Sequence, residues 1–126
     1  MTPARALASL ILALTSFAAN ALTVEPYSPE AVSHALSAKK AIAFDFHADW
    51  CPTCKAQAKS IEKLKSAPNL DVTIFVVDFD KNTALRKQLK VAAQSTIVVF
   101  KEGRESARLI GQTEVEQIRS VLQTAL

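Results

Sequence analysis

The sequence is poor in cysteine, glycine and proline. Its 126 residues include only two cysteines, two glycines and five prolines. With just one nearby cysteine pair, no distant segments can be joined by disulfides, so this is not a small disulfide-stapled scaffold. No repeat or low-complexity linker divides the chain, and its length fits one domain.

An excess of charge of one sign is also lacking. The net charge is only +3, and residues of both signs are interspersed. Nucleic-acid binding usually requires a clustered basic face, so we expect no nucleic-acid partner. Hydrophobic residues make up 49% of the chain, enough to build a core.

The first 21 residues are predicted to be a signal peptide. Arg5 supplies a positive start, residues 7–19 form an apolar run, and Ala19, Asn20 and Ala21 form a small-x-small cleavage site. We expect cleavage after Ala21, export to the periplasm, and a mature domain of residues 22–126. The apolar run is short for a membrane span, although an uncleaved anchor is the alternative.

The two cysteines lie in one short stretch, Trp50-Cys51-Pro52-Thr53-Cys54-Lys55. A disulfide across so small a loop restrains little of the unfolded chain, so its value as a structural brace is low. Redox chemistry and metal binding are therefore both open, the second as a metal- or iron–sulfur-binding module with His47 as a possible third ligand. A third alternative is a docking domain without redox activity.

Hydrophobic patterning predicts alternating strands and helices, followed by a strand hairpin and a last helix. The predicted strands span residues 22–24, 41–46, 72–77, 96–100 and 106–110. The predicted helices span residues 29–38, 52–64, 82–89 and 113–126, with a turn at 101–104. This order predicts an α/β fold with a mixed central sheet of about five strands and helices on both faces.

Residues 44–55 resemble the active-site segment of thioredoxins. The segment runs Phe44-Asp45-Phe46-His47-Ala48-Asp49-Trp50-Cys51-Pro52-Thr53-Cys54-Lys55. It is also similar to the C-terminal thioredoxin-like domain of the periplasmic thiol:disulfide interchange membrane protein. The resemblance covers residues 22–126 and implies a thioredoxin-like fold and protein-disulfide oxidoreductase activity.

The resemblance also implies a role for each polar group of the site. Cys51, at the start of a helix, faces unpaired backbone N–H groups that favour the thiolate, so it is expected to attack a partner disulfide. Cys54 is expected to resolve the mixed disulfide, which makes Cys51 and Cys54 the redox-active disulfide. Asp45 is expected to be a buried carboxylate that accepts the proton of Cys54.

Four further residues are expected to bind substrate: Trp50, Pro52, Thr53 and Ser95. Ser95 aligns with the cis-proline of the family, and the chain has no proline after Pro68. A cis bond before a residue other than proline costs about 3–4 kcal/mol, so the bond before Ser95 is expected to be trans. Loss of the proline would weaken substrate docking or open the cysteine pair to a metal.

No flavin or nicotinamide motif is present, so no cofactor is expected and electrons must pass to or from another protein. The expected partners are protein disulfides and dithiols, together with a membrane-bound electron donor or acceptor. The protein is expected to be a monomer. The sequence leaves the direction of the reaction, reduction or oxidation, open.

Overall fold

The computed structural model describes residues 20–126, so the predicted signal peptide lies outside the described residues except for its last two positions. The strands are β1 (Thr23–Pro26), β2 (Ala41–His47), β3 (Val72–Asp78), β4 (Thr96–Lys101) and β5 (Arg104–Ile110). The helices are α1 (Pro29–Ser37), α2 (Pro52–Leu64), α3 (Thr83–Gln88) and α4 (Val115–Gln123). None of the helices in this part of the chain is long and apolar enough to cross a membrane.

The predicted order of elements is confirmed, and the differences are confined to their ends. The last helix spans Val115–Gln123 and is shorter than the predicted 113–126 at both ends, because Glu114 is its N-cap and Thr124 its C-cap. The second hairpin strand begins at Arg104, directly after the turn formed by Glu102 and Gly103, both of which have positive φ. Pro26 ends β1 without interrupting it, since an edge strand tolerates proline.

The five strands form one sheet in the order β1-β3-β2-β4-β5. β2 is the central strand and pairs in parallel with β3 and antiparallel with β4. This register places Asp45 of β2 between Val76 and Ile97. Residues 48–50 connect the carboxyl end of β2 to Cys51. The cysteine pair therefore follows the central strand, which has a neighbouring strand on each side.

Helices cover both faces of the sheet, as predicted. On one face, α2 and α4 contribute Ile61, Leu64, Ile118 and Leu122 to a core with Ala43. On the other face, α1 and α3 pack over a second core of β2 and β3 side chains, which includes Phe44, Phe46, Phe75 and Val77. Because side chains alternate along a strand, Asp45 shares the α2 face with Ala43.

The buried side of α2 includes two polar residues. Gln57 and Ser60 are buried, whereas the apolar Ala58 is exposed. The physical reason is the helical repeat of three to four residues, which places position 57 on the same side as Cys54 and Ile61. A polar residue on this side is easily missed by a search for apolar spacing.

Candidate active site

The two cysteines lie at the first turn of α2. Both are free thiols and both are buried, with 2% of Cys51 and none of Cys54 exposed. Cys51 is the N-cap residue in an extended conformation, and Pro52 occupies the first helical turn, where a missing N–H costs no hydrogen bond. The local sequence therefore fixes both sulfurs at the N-terminal end of a 13-residue helix.

The surroundings of Cys51 favour its thiolate. Burial raises the pKa of Cys51, but hydrogen bonds from Cys54, Ser95 and the backbone at Thr53 outweigh this effect and leave the pKa below its ordinary value. The most direct of these contacts is the backbone N–H of Cys54, which donates to the Cys51 sulfur at 3.1 Å. A sulfur in the N-cap position thus accepts a hydrogen bond that a hydroxyl or carboxylate oxygen usually accepts.

The surroundings of Cys54 have the opposite effect. Burial raises the pKa of Cys54, and its interaction with Cys51 raises it further, while the hydrogen bond with Ser95 lowers it. The net result is a pKa above the ordinary value. The pair therefore has one sulfur suited to ionise and one suited to keep its proton until a reaction requires its removal.

Ser95 faces both sulfurs from the loop before β4. Its hydroxyl oxygen lies 3.2 Å from the Cys51 sulfur and 3.1 Å from the Cys54 sulfur. The bond before Ser95 is trans, as predicted, because the residues from 20 to 126 contain no cis peptide bond. Ser95 has a φ of 62°, a left-handed conformation that is uncommon for residues other than glycine.

The main chain of Ser95 is held by internal hydrogen bonds. Its N–H donates to the carbonyl of Phe46, and its carbonyl accepts from the N–H of Gly111 and from the Gln57 side chain. Both main-chain polar groups of Ser95 are therefore occupied within the protein, and its role in binding substrate stays a prediction. Its position directs the hydroxyl to the sulfurs.

Gln57 is the site residue that the sequence analysis missed. Its side-chain nitrogen donates to the carbonyls of Ser95 and Gln112, at 3.0 and 2.9 Å. The side chain is fully buried, and its oxygen has no hydrogen-bond partner. Its spacing of three residues from Cys54 is the signal that would have identified it. Gln57 ties the cysteine helix to the two loops that close the site.

Asp45 is buried, as expected, with 3% of its surface exposed. Burial raises the pKa of Asp45 from 3.8 to about 6, although the nearby His47 partly opposes the shift. One carboxylate oxygen, Oδ1, is buried without a hydrogen-bond partner. A carboxyl group that ionises near neutral pH has the acidity that a general base requires.

The other expected substrate-binding residues are the chain neighbours of the buried cysteines. Trp50 is 60% exposed, and its indole N–H donates to Asp80 at 2.8 Å. Pro52 is exposed and Thr53 is half-buried. Trp50 therefore presents an apolar face of fixed orientation beside the cysteine pair, rather than packing into the core.

His47 does not join the cysteines. Its ring nitrogen Nε2 lies 3.2 Å from a carboxylate oxygen of Asp49. In residues 20–126, no three His, Cys, Asp or Glu side chains are close enough together to hold a metal ion. The alternative that His47 acts as a third metal ligand beside Cys51 and Cys54 is not supported by this arrangement.

Comparison with known proteins decides the family. The Thioredoxin family profile matches residues 23–124, nearly the whole described chain. The chain belongs to the thioredoxin family. Thioredoxin H3 of Arabidopsis thaliana is 34% identical over 99 residues, a match that covers 79% of this chain and 82% of the plant protein.

Solved structures of thioredoxin-family proteins have the same fold. The crystal structure of Trxlp from Edwardsiella tarda is 36% identical, with a TM-score of 0.74, and the match covers 79% of this chain and 98% of that one. Thioredoxin from Malassezia sympodialis has a TM-score of 0.66 and is 22% identical, over 84% of this chain and 95% of that one. The second likeness shows the fold alone.

Membership of the thioredoxin family establishes the activity in general terms. The protein is a thioredoxin-like thiol-disulfide oxidoreductase with Cys51 and Cys54 as its Cys-x-x-Cys pair, and it acts on protein disulfides. The mixed five-stranded sheet with helices on both faces confirms the predicted fold class.

Proposed function

We propose that this protein is an exported, periplasmic thiol-disulfide oxidoreductase in which Cys51 attacks the partner disulfide and Cys54 resolves the mixed disulfide. The observation that carries the assignment of roles is the opposite environment of the two sulfurs. Cys51 caps α2 and accepts a backbone hydrogen bond, whereas Cys54 is fully buried behind it and its pKa is raised.

The order of events follows from these environments. The Cys51 thiolate attacks a disulfide of the partner, since the thiolate is the nucleophilic form. Cys54 then attacks the Cys51 sulfur of the mixed disulfide and releases the reduced partner. Asp45 is proposed to accept protons in this cycle, because its carboxyl group becomes ionised near neutral pH.

The environment of Cys51 also bears on the redox potential. The thiolate exists only in the reduced protein, so hydrogen bonds to it stabilise the reduced form relative to the disulfide. The N–H of Cys54 and the hydroxyl of Ser95 both lie within hydrogen-bond distance of this sulfur. We therefore expect a less negative potential than the same pair would have without these contacts.

The periplasmic location is supported by the first 21 residues. An exported oxidoreductase without a cofactor must exchange electrons with other proteins, and we propose a membrane-bound electron donor or acceptor and a monomeric state. The experiment is fractionation of cells that express the full chain, followed by intact-mass measurement. A periplasmic protein that begins at Leu22 supports export, and the variant Leu14→Arg, which interrupts the apolar run, should remain uncleaved in the cytoplasm. A full-length wild-type protein in the cytoplasm would overturn the location.

Activity is tested by the reduction of insulin with dithiothreitol as the electron source. The wild-type protein should accelerate the precipitation of insulin, and Cys51→Ser should abolish the acceleration. Turnover that survives Cys51→Ser would overturn the assignment of roles, whatever the location of the protein.

A further inference from the structure

The Ser95 hydroxyl is in contact with both reacting sulfurs at once. Its oxygen lies within 3.2 Å of Cys51 and within 3.1 Å of Cys54, and Ser95 is only 3% exposed. Among residues 20–126, no other side chain outside the pair is hydrogen-bonded to either sulfur. A hydroxyl placed in this way can exchange a proton with either sulfur.

The hydroxyl is held in place from several directions. The N–H of Ser95 is bonded to Phe46 of the central strand, and its carbonyl is bonded to Gly111 and to Gln57 of the cysteine helix. The residue also has a positive φ, which serine adopts only at a cost in free energy. The surrounding hydrogen bonds therefore impose a position that the local sequence does not favour.

One hydroxyl has one proton and two acceptor lone pairs, so Ser95 cannot donate to both sulfurs at the same time. When Cys51 is a thiolate and Cys54 a thiol, one arrangement uses both contacts of the Ser95 hydroxyl. Ser95 donates its proton to Cys51, and Cys54 donates its proton to the oxygen of Ser95. The three groups form a continuous path for a proton from Cys54 to the side of Cys51.

We propose that Ser95 is a catalytic residue whose hydroxyl relays the proton of Cys54 to the leaving sulfur of the partner. The proposal rests on the roles of Cys51 and Cys54 given above. In the mixed disulfide, the partner's sulfur is bonded to the Cys51 sulfur at about 2 Å, so it lies next to one of the two atoms that the hydroxyl contacts.

The resolving step balances in atoms and electrons. Cys54 forms a bond to the Cys51 sulfur, and the bond from Cys51 to the partner's sulfur breaks. The proton of Cys54 passes to the Ser95 oxygen, while the proton of Ser95 passes to the partner's sulfur. The two cysteines are oxidised to a disulfide, the partner is reduced to a thiol, and Ser95 is unchanged.

Two variants test the relay, Ser95→Ala and Ser95→Gly. Both remove the hydroxyl, but glycine accepts the positive φ without strain, so the second variant covers a folding defect in the first. The reduced protein is mixed with a disulfide-containing peptide, quenched with acid at successive times, and analysed by mass spectrometry. This separates the formation of the mixed disulfide from its decay.

Both variants should show decay of the mixed disulfide slowed by about tenfold or more, since proton transfer by a positioned side chain contributes about 10²–10⁴-fold. The deficit should shrink as pH rises, because solvent then removes the proton of Cys54 directly. The matched control is Ser60→Ala. This variant removes a buried hydroxyl of α2 that donates to the carbonyl of Thr113 and contacts neither sulfur. Its mixed disulfide should decay at the wild-type rate.

Wild-type decay in both Ser95 variants would overturn the relay, and so would a deficit that is equal at every pH. Neither result would affect the proposed function if Cys51→Ser still abolished turnover. Conversely, turnover that survives Cys51→Ser would overturn the assignment of roles, and the relay with it.

Discussion

Gln57 donates its side-chain amide to the carbonyl of Ser95 at 3.0 Å, which joins the helix that carries both cysteines to the loop that faces them. The same nitrogen donates to the carbonyl of Gln112, at the start of the connection to α4. One buried side chain thus links α2 to the loop before β4 and to the loop before α4. The apolar pattern of the sequence does not predict this contact.

Gln57→Leu should destabilise the protein by about 1–3 kcal/mol, because the carbonyl of Gln112 loses its donor while remaining partly buried. The pKa of Cys51 should rise as well, because Ser95 loses one of its restraints. Urea denaturation gives the first quantity, and ultraviolet absorbance of the thiolate gives the second.

Gln57→Glu is a second test variant, and its side chain has almost the same size as glutamine. Ionised glutamate cannot donate to either carbonyl, so this variant should be least stable at neutral pH and should recover stability below about pH 4, where the side chain becomes protonated. A Gln57→Leu protein as stable as the wild type, with an unchanged pKa of Cys51, would show that the amide does not position Ser95.

Asp45→Asn should stabilise the protein at neutral pH. The folded protein raises the pKa of Asp45 from 3.8 to about 6, so ionisation disfavours the folded state. The penalty is absent below about pH 3.8, develops between 3.8 and 6, and is complete above about 6. At 1.36 kcal/mol per pKa unit, the full gain for Asp45→Asn is roughly 3 kcal/mol.

Denaturation curves measured across this pH range check the prediction, with the exposed Asp71→Asn as the control. A stability difference between Asp45→Asn and the wild type that did not vary with pH would contradict it.

Ser95→Ala should make the redox potential more negative. A hydrogen bond to a charged group contributes about 1.5–3 kcal/mol, and about 30 mV corresponds to 1.4 kcal/mol for this two-electron couple, so the shift should be about 30–60 mV. Equilibration with glutathione measures it, and Ser60→Ala should leave the potential unchanged. An unchanged or less negative potential in Ser95→Ala would mean that its hydroxyl does not donate to the Cys51 thiolate.

Trp50→Ala should weaken substrate binding without affecting stability. The side chain is 60% exposed, so its removal should change the free energy of unfolding by no more than about 0.5 kcal/mol. The KM for a protein disulfide should rise because an exposed aromatic face beside Cys51 is lost. Leu36→Ala, on the distant helix α1 and 48% exposed, is the control and should leave KM unchanged. Equal KM values in both variants would remove Trp50 from the docking surface.

The sequence was sufficient to predict the order of elements and the position of the cysteines. The apolar run that ends at Phe46 is short and favours a buried strand, and Pro52 marks the first turn of its helix. Local signals of this kind act over a few residues, so they can be recognised without the fold.

Contacts between distant segments could not be predicted in the same way. Ser95 was recognised only because the family has a proline there, and the orientation of its hydroxyl depends on bonds to Phe46, Gly111 and Gln57. The burial of Gln57 depends on two carbonyls supplied by other loops. These geometries depend on packing between distant segments, so a short window of sequence cannot predict them.

The most direct test of the central claim is to trap the partner with Cys54→Ser. This variant should attack a protein disulfide through Cys51 and remain joined to the partner. Mass spectrometry should locate the cross-link at Cys51, and dithiothreitol should release the partner. Cys51→Ser and the double variant should form no such complex. A complex joined through Cys54 in Cys51→Ser, with none in Cys54→Ser, would contradict the account.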